Sequence, residues 1–96
     1  MKDYIGKQPL KDLLVEYVSK VKALEIMQTQ IAELEKRINA LDEDIEELED
    51  AGLDRTVEIL CKTRNSLNLE RLELEIHICK LKLWIAEFEL ERQLER

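Results

Sequence analysis

Apolar residues recur through the first half of the chain at alternating steps of three and four. One row reads Leu10, Tyr17, Leu24, Ile31, Ile38, Ile45 and the other Leu13, Lys20, Met27, Leu34, Leu41, Leu48. Eleven of these twelve positions are apolar, Lys20 being the exception, so the spacing predicts a helix with one supercoiled seam. The second half is patterned differently. Leu60, Leu67, Leu74, Leu81 and Phe88 recur every seven residues, joined by Val57, Ile78 and Ile85 and interrupted by Arg64 and Arg71. Leu69, Ile76, Leu83 and Leu90 also recur every seven, joined by Leu72, Cys79 and Ala86.

Residues 72–78 alternate as Leu-Glu-Leu-Glu-Ile-His-Ile, which read locally suggests a β-strand. The helical reading is stronger. Leu, Glu and Lys are good helix formers and poor strand formers, and an isolated strand would have no mate in this chain. Residues two apart on a helix lie about 200° around its axis, so the two stripes occupy opposite faces. Glu73, Lys80, Glu87 and Glu91 separate them on one side and Glu75, Lys82 and Glu89 on the other.

Breakers are few. Gly6 and Pro9 lie near the start, and Ala51-Gly52-Leu53-Asp54 interrupts the middle. Pro9 suits a first helical position, Gly52 a left-handed stop with Leu53 folding back on Leu48, and Asp54 the N-cap of the next helix. The expected organisation is one helical-hairpin domain over residues 1–96. Helix 9–50, turn 51–54 and helix 55–96 follow a short lead-in, each helix roughly 63 Å long. So short a turn requires antiparallel helices whose facing residue numbers sum to roughly 105. Ile45 then meets Leu60, Ile31 meets Leu74 and Tyr17 meets Phe88.

Only one stripe of the second helix can pack on the first. Leu69, Leu72, Ile76, Cys79, Leu83 and Leu90 face outwards, and Leu14, Val15, Val18, Val21 and Ile26 lie off the seam of the first helix. Leaving five to seven large side chains in water forfeits about 1.5–3 kcal/mol apiece, a sum comparable with the stability of a small domain. The expectation is an all-α, antiparallel two-helix coiled-coil hairpin that dimerises through those six residues into a four-helix bundle. Residues 69–94 and 10–27 form the bundle in that arrangement, and residues 37–66 project as a two-helix tip.

Composition sharpens the picture. Charged residues are 39% of the chain, apolar ones 45% and aromatic ones 4%, with two Gly and one Pro, which excludes an ordinary all-β fold and wholesale disorder. The net charge of −7 argues against direct nucleic-acid binding. Residues 1–37 hold seven bases and six acids, and residues 55–96 hold eight of each. Residues 38–54 hold eight acids and no base: Asp42, Glu43, Asp44, Glu46, Glu47, Glu49, Asp50 and Asp54. Carboxylates at a helix C-terminus oppose the macrodipole, and Asp42/Glu46 and Glu43/Glu47 repel at one-turn spacing. A solvated face neutralised across the hairpin, Arg55 near Asp50 and Lys62 near Glu43, is one account. A docking knob for a basic protein surface is the other, with Asp42 to Asp50 as contact residues.

Candidate chemistry is sparse. His77 and Cys79 diverge by about 200° and cannot share a metal. His77 reads as a packed or surface histidine beside Leu74, Leu81 and Trp84, and Cys79 as a small thiol in the second stripe. Cys61 has no basic cluster or His close in sequence to mark it as a nucleophile and is too far along the helix from Cys79 for a disulfide. Trp84 is either core packing beside Phe88 or a partner anchor. No phosphate loop, calcium loop, basic stripe or pocket-forming pattern occurs, and no apolar run approaches the ~20 residues of a membrane span. MKDYIGKQPLKD lacks the apolar core of a secretory signal.

The reading is therefore a non-catalytic, cofactor-free, cytoplasmic interaction protein. It would act as a homodimeric adaptor or inhibitor that binds another macromolecule, a basic protein being the candidate for its acidic tip, with no direct contact to nucleic acid or membrane. Two alternatives stand beside it: a scaffolding element that uses the second stripe heterologously, and an acidic nucleic-acid mimic acting on a DNA-binding protein. A DNA-binding regulator is a weaker third.

Overall fold

The computed structural model describes residues 10–94, so the lead-in, the placement of Pro9 and the last two residues of the expected second helix lie outside the described residues. The chain is all-helical over that range. Helix α1 spans Leu10–Asp50 and helix α2 spans Asp54–Leu94, each 41 residues long. They fold back on one another as a narrow rod of 65 × 22 × 18 Å. The alternating segment 72–78 lies within α2, as propensity and heptad spacing require.

The turn follows the expected stop. Gly52 adopts φ +75°, and its N–H donates to the Glu49 carbonyl at 3.0 Å while Leu53 N–H donates to the Leu48 carbonyl at 3.0 Å. These two bonds are the paired closures of a Schellman motif. The start of α2 differs from the sequence expectation. The Leu53 carbonyl accepts the first helical bond, from Val57 N–H at 3.1 Å, so Leu53 holds the N-cap position and Asp54 is already helical. The Asp54 carboxylate still favours this end through the helix dipole.

The seam between the helices is thin. Leu34, Ile38 and Ile45 of α1 and Ile78 and Phe88 of α2 are buried, and among the described residues no large side chain is completely enclosed. The expected register is correct: Tyr17 stacks on Phe88 with ring centroids 4.9 Å apart, and Arg64 Nη1 donates to Asp42 Oδ1 at 3.1 Å. Val21, expected to lie off the seam, is half-buried at its edge.

The seam's interruptions have structural reasons. Lys20 holds its ammonium 5.4 Å from the Trp84 ring centroid, a cation–π contact in an apolar row. Arg64 spans the hairpin to Asp42, and Arg71 Nε lies 3.7 Å from Glu75 Oε1 one turn along its own helix. Long side chains can cover a seam with their stems while their charged ends reach its rim.

Candidate functional site

Two surfaces emerge from this geometry, one apolar and one acidic. The apolar one is the second stripe of α2. Leu69, Leu72, Ile76, Leu83 and Leu90 are all exposed, from 48% at Leu72 to 63% at Leu69, and Cys79 among them is an exposed free thiol. They stand out because α1 occupies the opposite face of α2, where Leu74, Ile78, Leu81 and Phe88 are half or fully buried. Leu14, Val15, Val18 and Ile26 of α1 are exposed in the same half of the rod. A monomer rarely presents so long an apolar strip to water.

Ile59 and Leu94 were absent from the sequence-derived stripe, yet both are exposed, at 57% and 78%. The signal that locates them is phase: Ile59, Ser66, Glu73, Lys80, Glu87 and Leu94 recur every seven residues along one border of the stripe.

The acidic surface surrounds the turn. Asp42, Glu43, Asp44, Glu46, Glu47, Glu49 and Asp50 are exposed, and Glu43, Glu46, Glu47 and Asp50 line an open hollow on α1. α1 has no base in its last turn to offset its dipole. Partial neutralisation occurs at a different place from the one the sequence suggested. Arg64 reaches across to Asp42, while Lys62 pairs with Glu58 of its own helix at 3.6 Å rather than with Glu43. Position 64 faces the seam and can bridge it, whereas position 62 lies on the outer side of α2.

Trp84 is engaged within the hairpin. Its ring stacks on Phe88 at 5.5 Å with an interplanar angle of 7°, so Tyr17, Phe88 and Trp84 form one continuous aromatic ladder. Tyr17 Oη donates to Glu89 Oε2 at 2.7 Å. That bond requires the phenol proton, and with some desolvation and the neighbouring negative charge it raises the Tyr17 pKa above its ordinary value of 10. His77 is exposed on an open groove beside Leu34, Arg37 and Leu74.

Cys61 is half-buried and Cys79 exposed, both free. Among the described residues no group of three His, Cys, Asp or Glu side chains could hold a metal ion. No described helix is long and apolar enough to cross a membrane. Compared with protein-family models, curated proteins and solved structures, the chain matches none.

Proposed function

We propose that this chain is a non-catalytic, cofactor-free interaction protein of the cytoplasm. It self-associates through the second stripe of α2 and offers its acidic tip to a basic surface of another protein, as an adaptor or inhibitor does. Two hairpins joined through Leu69, Leu72, Ile76, Cys79, Leu83 and Leu90 make a four-helix bundle.

The observation that carries the reading is the exposure of that stripe along four turns and more of α2, on the side that α1 cannot reach. Burying it on a second copy removes several large apolar side chains from water at about 25 cal/mol per Å². The tip supports the second half of the proposal. Seven exposed acids from Asp42 to Asp50 lie at one end of a rod 65 Å long, where charge speeds encounter with a basic partner and selects it. They oppose the α1 dipole, so local helix stability does not account for them.

The test has two arms. Sedimentation velocity at micromolar concentration should give twice the mass of one chain. Affinity capture with wild type and with the variant Glu46→Gln/Glu47→Gln/Glu49→Gln should then recover a basic protein with wild type alone, the variant keeping its mass. A monomeric wild type refutes the self-association, and equal capture by both forms refutes the role of the tip.

A further inference from the structure

We infer that the second copy lies antiparallel on α2, facing residues having numbers that sum to roughly 155, so that the assembled rod carries an acidic tip at each end. The inference rests on the self-association proposed above and fixes its geometry. In an antiparallel pair of helices, positions on the two borders of a shared stripe meet their own row running in reverse; in a parallel pair each border meets the other border.

Both borders of the α2 stripe are self-complementary when reversed. On the first, Glu73 meets Lys80, and Ile59 meets Leu94, the two large apolar residues of α2 exposed outside the stripe. On the second, Glu75 meets Lys82 and Asn68 meets Glu89. Each pairing occurs twice by symmetry. The same alignment stacks Leu72 on Leu83, Ile76 on Cys79 and Leu69 on Ala86 across the interface. Glu73, Lys80 and Lys82 make no ion pair among the described residues, whereas Glu75 lies 3.7 Å from Arg71.

A parallel pair also brings Glu75 to Lys80, but it sets Arg55, Glu58 and Lys62, the continuation of the stripe towards the turn, each against its own copy. It leaves Ile59 and Leu94 uncovered and crowds two acidic tips together. Reversal removes all three conflicts. It covers α2 from about residue 61 onwards, which shortens the projecting tip from the 37–66 expected above to about 45–60 at either end.

The distance between two spin labels reads the geometry directly. With Cys61→Ala and Cys79→Val as background, Val keeping the interface position apolar and filled, a label at Thr63→Cys, on the exposed side away from the stripe, should give an inter-label distance of about 45 Å, from 1.5 Å rise per residue. A distance under about 30 Å in a dimer overturns the antiparallel arrangement and leaves self-association standing. A larger assembly with several distances overturns closure into a dimer, and a wild-type chain that is monomeric at 50 µM overturns self-association itself. Charge exchange supplies an independent readout: Lys80→Glu should weaken association about tenfold and Glu73→Lys/Lys80→Glu should restore it. Failure of the double variant to restore it overturns the Glu73–Lys80 pairing.

Discussion

Replacing Ile76 by Asp separates association from hairpin folding. In the isolated hairpin Ile76 is 55% exposed, so Asp there loses little packing and costs about 0.5 kcal/mol in helix propensity. In the proposed assembly the remaining half of its surface is covered. Half of the ~1.5–3 kcal/mol for a fully buried aliphatic side chain is about 0.8–1.5 kcal/mol, and two copies double it. Each dimer must in addition desolvate two carboxylates in an apolar strip, at several kcal/mol for the pair. The combined loss exceeds about 4 kcal/mol, roughly a thousandfold in the dissociation constant.

Sedimentation velocity between 1 and 100 µM, paired with far-ultraviolet circular dichroism, measures both consequences. Ile76→Asp should sediment as a single chain and lose its helical signal at lower temperature than wild type, because the released hairpin has only a thin seam to hold it. Ile38→Asp, at a seam position 6% exposed, should instead abolish the helical signal at every concentration. An Ile76→Asp protein with the mass and melting temperature of wild type would refute the reasoning.

Gly52→Ala places a Cβ where nothing lies within 4 Å, so its whole cost is the positive φ, about 1 kcal/mol, read as a fall in melting temperature of about 4–8 °C. Tyr17→Phe keeps the stack on Phe88 and deletes the bond to Glu89. Because the folded Tyr17 pKa is raised, that bond's stabilisation is complete below the unfolded value of 10 and is lost as pH rises through the folded one. The difference in melting temperature between wild type and Tyr17→Phe should therefore shrink above pH 10. Glu46→Gln/Glu47→Gln/Glu49→Gln should raise the melting temperature in low salt by relieving repulsion and the opposed dipole at about 0.3–1 kcal/mol per residue, with the gain fading at high salt. A lower melting temperature would show that these acids make stabilising contacts instead.

Features that depend on period and backbone conformation were legible in the sequence. Heptad phase and a single Gly between two long apolar patterns fix the register that brings Tyr17 to Phe88 and Asp42 to Arg64. Gly52 marked the stop because a left-handed residue is cheapest there. The parts that escaped depend on where a side chain or the first helical bond settles. Asp54 has a good capping side chain, yet the chain enters α2 one residue earlier, at Leu53. Lys62 had two acids within reach and took Glu58 on its own helix. Lys20 looked like a defect of the row until Trp84 supplied a ring beneath its ammonium. Ile59 and Leu94 stand alone in the linear sequence and join the stripe only when its border is followed around the helix.

With self-association as proposed, the absence of any completely enclosed large side chain among the described residues makes concentration a determinant of folding. A rod held by so slender a contact opens often, and amide hydrogens along it should exchange quickly in dilute solution. Crowding two copies onto one another ties helix formation to mass action, so the midpoint of thermal melting should climb as protein is added. Amides near Gly52, beyond the partner's reach, should gain the least protection.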